Sequence, residues 1–97
     1  MTVEVRLRAE AEQDLAESSA WYEQQRTGLG QEFLDEALAT FSAIADIPNG
    51  FAVIYRSVRR ALLHRFPFAV FYIFDREGVM ILGVLHASRH PRFWMNR

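Results

Sequence analysis

One stretch, Arg59 to Arg89, limits what this chain can fold into more than any other: RRALLHRFPFAVFYIFDREGVMILGVLHASR. Phe66 to Phe74 is almost continuously apolar and aromatic, interrupted only by Pro67. Asp75-Arg76-Glu77-Gly78 then supplies a polar turn, and Val79 to Leu85 is apolar again. Two short β-rich runs joined by a Gly-containing loop predict a β-hairpin. Runs apolar on both faces belong to central strands, buried on each side of a sheet. One face is expected to lie under helices, with a partner as candidate cover for the other. Arginines and histidines crowd both ends of the hairpin. Arg59, Arg60, His64 and Arg65 precede it, and His86, Arg89, His90 and Arg92 follow it.

The remaining segments build toward that hairpin. Val3, Val5 and Leu7 alternate with polar residues, the period of a half-buried strand. A helix follows, its first turns rich in Glu10, Glu12 and Asp14, as the helix dipole favours. Ala11, Leu15, Ser18/Ser19 and Trp21/Tyr22 fall at helical spacing on one face, and Thr27-Gly28-Leu29-Gly30 stops the helix. A second helix is predicted from about Gln31 to Ala45, with Phe33/Leu34, Ala37/Leu38, Phe41 and Ile44/Ala45 as its apolar stripe. Pro48-Asn49-Gly50 is a turn. Residues 51–57 fit either a short strand or an extended lead-in, and Val58 to Arg65 reads as a strand. His90-Pro91 marks the start of a short helical turn, since proline suits the first helical position. The order is β-α-α-β-β-β, an α+β two-layer domain spanning residues 1–97, with a helical hairpin on an antiparallel sheet.

Charge is divided along the chain. Residues 1–50 hold three Arg against ten Asp and Glu, while residues 51–97 hold eight Arg against two acids. All the strong positive charge is arginine, the residue suited to bidentate contacts with carboxylates and phosphates. An arginine-preferring codon usage gives the same composition. There is no cysteine, hence no disulfide framework or thiolate chemistry. No apolar run reaches membrane-spanning length and no signal peptide is evident, so a cytoplasmic protein is expected. His86 and His90 have the spacing of zinc ligands on a helix, but their segment is a strand end before a proline. No third ligand is near in sequence, so no metal or other cofactor is expected. His64 reads as a solvated strand histidine. Of Trp21 and Tyr22, at least one is expected in the core.

Taken in order, these residues resemble the RelE/ParE superfamily of bacterial type II toxin–antitoxin toxins, and within it the ParE-like, plasmid-stabilisation side. The matching positions are Ala11, Asp14-Leu15, Trp21-Tyr22, Gly28-Leu29-Gly30, Phe33, Glu36, Ile44 and Pro48. They continue through Val58-Arg59-Arg60, Arg65-Phe66-Pro67-Phe68, Val70 and Tyr72 to His86-x-x-Arg89-x-Pro91-x-x-Trp94. The resemblance implies a helical hairpin packed on a twisted sheet, an inhibitor of growth, and a cognate antitoxin whose disordered arm folds onto the toxin. Assembly is open between a homodimer and a toxin–antitoxin hetero-oligomer. ParE-like members poison DNA gyrase without hydrolytic chemistry. RelE-like members are ribosome-dependent ribonucleases that cut mRNA. A third alternative is an inactive homologue that only binds its antitoxin.

The ribonuclease branch places a basic residue just inside the third strand, where this chain has Phe68-Ala69. RNA cleavage needs a base, stabilisation of charge on phosphate and an acid. If this chain were a ribonuclease, Arg65, His86 and Arg89 would be the catalytic set. The gyrase reading ranks above it, with no catalytic residue. Candidate target contacts are then Arg89, Pro91, Trp94 and Arg97, a cationic aromatic tail just beyond an anchored strand. Candidate antitoxin contacts are Arg59, Arg60, Arg65, Leu34, Leu38 and Phe41. Charge on a strand edge also guards against aggregation, and the three arginines fit that role equally.

Overall fold

Alternating and helical apolar periods set the element order in the computed structural model, which describes residues 2–89. Strand β1 (Val5–Leu7) leads into helices α1 (Ala9–Gln25) and α2 (Leu29–Asp46). Strands β2 (Ala52–Tyr55), β3 (Val58–Leu62), β4 (Phe68–Asp75) and β5 (Gly78–His86) follow. They form one five-stranded sheet in the order β1-β5-β4-β3-β2. The expected two-layer α+β architecture is present. The open segment 51–57 supplies β2, paired antiparallel with β3. β1 joins parallel to β5, with Val5 opposite Val79, so the sheet is mixed and not purely antiparallel.

The hairpin β4–β5 is in register from Phe68 opposite His86 to Asp75 opposite Gly78. Its turn is closed by Glu77 N–H donating to Asp75 Oδ1 at 2.8 Å. Gly78 adopts φ 108°, and a side chain there would meet the Glu4 carbonyl at 2.6 Å, so glycine is required on both counts.

β4 is apolar on both faces because it serves two clusters. Val70 and Tyr72 face the helices, where they pack with Phe33, Ile44, Val79 and Ile81. Ala69 and Phe71 face the other way and pack with Val58 and Leu82. Burying each such large side chain contributes about 1.5–3 kcal/mol. The Tyr72 hydroxyl stays satisfied by donating to the Pro48 carbonyl at 2.6 Å, and burial pushes its phenol pKa up.

Two boundaries differ from the periodicity, each for a local reason. α2 begins at Leu29 and not near Gln31, because only Thr27-Gly28 breaks the helix. Glu23 at the end of α1 accepts from Gly28 N at 2.9 Å and Gly30 N at 3.0 Å. It thereby caps orphan donors of α2 from the preceding helix. β3 ends at Leu62 and not Arg65, because the His64 and Arg65 N–H groups both go to the Glu36 carboxylate.

β1 ends at Leu7 as its alternation predicts, opposite Ile81, while β5 runs on. Beyond it the Asp14 carboxylate, on the sheet side of α1 and 5% exposed, accepts from Val84 N at 3.0 Å. A side chain thus replaces the missing strand, because a buried N–H needs an acceptor.

Candidate functional site

Three segments converge at one end of the domain: the β3–β4 loop, the end of β5 and the last turns of α1. An aromatic cluster joins them. Tyr22 stacks on Phe33 at 5.3 Å and meets Phe66 at 4.8 Å and Phe68 at 6.0 Å, all between ring centroids. Burial raises the Tyr22 phenol pKa. Trp21 is the neighbour that stays outside. It is 57% exposed and lies edge-on to Tyr22 at 5.1 Å. One of the two aromatics is therefore in the core and the other at the surface.

Carboxylates on α2 hold the β3–β4 loop. Glu36 takes the loop amides described above. Glu32 accepts from Arg65 Nη2 at 2.7 Å and from Arg26 Nη2 at 3.2 Å. The two arginines, Arg65 foremost, lower the Glu32 pKa. The Arg65 guanidinium also lies 5.5 Å from the Phe66 ring centroid. Arg65 is thus turned toward α2.

The end of β5 is organised separately. The His86 ring sits 6.0 Å from that of Phe68. Its Nδ1 accepts from Ser88 N at 3.2 Å and lies 2.8 Å from Ser88 Oγ. Ala87 N donates to the Pro67 carbonyl at 2.9 Å, and Arg89 N to the His86 carbonyl at 3.0 Å. Among the described residues no hydrogen bond or ion pair joins Arg65, His86 and Arg89 to one another. Nor is there a group of three His, Asp or Glu placed to hold a metal. Pro91, Trp94 and Arg97, like His90, lie outside the described residues.

The antitoxin candidates divide by environment. Phe41 is 7% exposed and belongs to the core, Leu34 is half-buried, and Leu38 is 56% exposed. Arg59 Nη1 donates to the Phe51 carbonyl at 2.7 Å and Arg59 Nη2 to Asn49 Oδ1 at 3.3 Å. Its charge therefore pins the approach to β2. Arg60 lies opposite Phe71, on the face away from the helices. A shallow groove of about 190 Å³ runs between α2 and the sheet, lined by Glu36, Thr40, Ala43, Phe51, Leu62 and His64. β2 reaches along β3 only as far as Arg60, leaving Leu62 54% exposed. Sequence reasoning missed Leu62 and Glu32, an apolar residue and an acid in otherwise ordinary positions, and it noted Glu36 only as a position of the resemblance without its role.

The family model of the ParE toxin of the type II toxin–antitoxin system, parDE, matches residues 5–91. Among solved structures the chain is similar to the chromosomal ParDE TA system from P. aeruginosa, with a TM-score of 0.79 at 15% identity. That match covers 90% of this chain and 98% of the other. At such identity it speaks to the fold. A search of curated proteins gives no match. No helix among the described residues is long and apolar enough to cross a membrane.

Proposed function

The chain belongs to the ParE toxin family of type II toxin–antitoxin systems, and from that premise we propose that it arrests growth in the cytoplasm by binding DNA gyrase. A cognate antitoxin holds it inactive. The observation that carries the choice of contact over catalysis is that the ribonuclease candidates are bonded to other groups and not to one another. General acid–base chemistry needs its groups within hydrogen-bond reach of one reacting centre. Arg65 is instead committed to Glu32, and His86 to Ser88. The position where the ribonuclease branch carries its basic residue is the start of β4 here, filled by Phe68, packed on the core, and by fully buried Ala69.

The antitoxin reading is supported by the groove beside α2 with its exposed Leu62, by Leu38 exposed on α2, and by the open edge of β3 above Arg60. A disordered arm that folds on binding suits such a surface. Purified toxin added to gyrase should inhibit supercoiling or trap cleaved DNA, while ribosome-bound mRNA stays intact. Cuts at ribosomal A-sites would overturn the proposal and return Arg65, His86 and Arg89 to catalytic roles. A chain that leaves growth unaffected would be a homologue that has kept only antitoxin binding.

A further inference from the structure

We propose that Trp21 anchors the toxin on a protein surface of its target, through the α1–β5 side of the domain, away from the α2–β3 side assigned above to the antitoxin. The partner's name, gyrase, rests on the preceding reading; the surface itself rests on geometry.

The first observation is direction. Ser19 and Glu23 face α2, since a side chain placed on Gly30 would meet both. Trp21 is two residues from each, about 200° around the helix, so it points from the opposite flank of α1. The second is support. Tyr22 under Trp21 is fixed by Phe33, Phe66 and Phe68, so the indole rests edge-on against an immobile ring. An exposed aromatic that is already ordered loses little freedom on binding, which favours affinity. The third is its neighbours. Phe68 touches both Tyr22 and His86, and Arg89 folds back onto the His86 carbonyl. A chain of ring contacts therefore links Trp21 to His86, and a backbone hydrogen bond links His86 to Arg89, at one end of the molecule. Trp and Arg are the residue types that dominate protein interface energetics.

Charge selects the occupant. Around Trp21, α1 carries Glu17 one turn before and Gln24 and Gln25 one turn after. The next cation on the helix side, Arg26, is paired with Glu32. Nucleic acid would require several free cations along its phosphates, and this flank of α1 offers Glu17, two neutral glutamines and an arginine already paired. The partner that fits is a protein surface with an apolar pocket for the indole and a carboxylate placed for Arg89.

The test uses the full chain with Trp21→Ala and Trp21→Phe, read by growth on induction, by supercoiling with gyrase holoenzyme, by plasmid gel shift and by thermal melting. Trp21→Ala should abolish growth arrest and weaken gyrase inhibition by roughly 30-fold, the loss expected for truncating an interface hot spot. Its melting temperature should stay near that of wild type, and Trp21→Phe should be intermediate. Growth arrest equal to wild type overturns the proposal, as does a much earlier melting transition with no Trp21→Phe activity. Plasmid binding by wild type that is lost in Trp21→Ala would make the occupant nucleic acid and also overturn it. If wild type leaves supercoiling untouched while Trp21→Ala still loses growth arrest and keeps its fold, gyrase is the wrong target and the surface stands. A wild-type chain without effect on growth overturns both.

Discussion

Replacing Gly30 with alanine sets helix propensity against helix packing, and the two predict opposite signs. Gly30 lies in the first turn of α2, where it is buried. Alanine in place of glycine inside a helix stabilises by up to about 1 kcal/mol, less near an end. A Cβ at this position would stand 2.5 Å from the Ser19 carbonyl oxygen and 3.1 Å from Glu23 Cβ. Both are short of an ordinary contact, and the nearest atom is backbone, which cannot swing aside. Either α1 and α2 separate by about 1 Å or the Glu23 cap breaks. Overpacking costs about 1–3 kcal/mol, and loss of a cap about 1 kcal/mol. Net destabilisation of about 2 kcal/mol lowers the melting temperature of a domain this size by about 10 °C. Circular dichroism melts of wild type and Gly30→Ala measure it directly. A variant that melts at or above the wild-type temperature would show that propensity wins and that the helices are not as close as described.

Asp14→Ala should cost about 1–3 kcal/mol in urea unfolding, because it strands the buried Val84 N–H without its carboxylate; a loss below 0.5 kcal/mol, on the order of a surface substitution, would mean that another acceptor takes over. Glu32→Gln tests the acid limb. The folded-state pKa of Glu32 is depressed by Arg65 and Arg26, so its contribution is present above the ordinary glutamate pKa and disappears as pH falls through the depressed folded value. The stability gap between wild type and Glu32→Gln should therefore be open at neutral pH and closed in strong acid, and shrink with salt; a gap independent of pH refutes the ion-pair account.

Long apolar patterns were legible, and the choices that depend on helix rotation were not. The stripe of Phe33, Ala37, Phe41 and Ile44 and the two-faced hairpin follow from period alone. Yet Leu38 and Phe41 belong to the same approximate stripe, and only docking on the sheet decides that Phe41 goes inward while Leu38 faces out. Trp21 and Tyr22 pose the same problem, since one step of 100° separates core from surface. β2 was ambiguous because Ala52 to Tyr55 is a short edge strand with mixed exposure. The clamping acids Glu23, Glu32 and Glu36 looked like an ordinary solvated helix face. The partners of Glu23 and Glu36 are backbone amides, and those of Glu32 are the Arg26 and Arg65 side chains; the fold brings them near, and composition carries no mark of it. The β1–β5 pairing joins nearly opposite ends of the chain and has no local signature at all.

That last pairing has a consequence for the order in which the protein can be made. β1 is synthesised before the other strands, but β5, its strand neighbour among the described residues, emerges from the ribosome after β2, β3 and β4. The helical hairpin can close early from contacts within its own segment, as local elements generally do. The parallel seam cannot, and neither can the Asp14 latch on Val84. Until β5 is released from the exit tunnel, the nascent chain has no ordered β5 end from which Arg89 can be presented. Vectorial synthesis thus delays the Arg89 end of the surface beside Trp21 until β5 is free to pair, well after the helical hairpin can close.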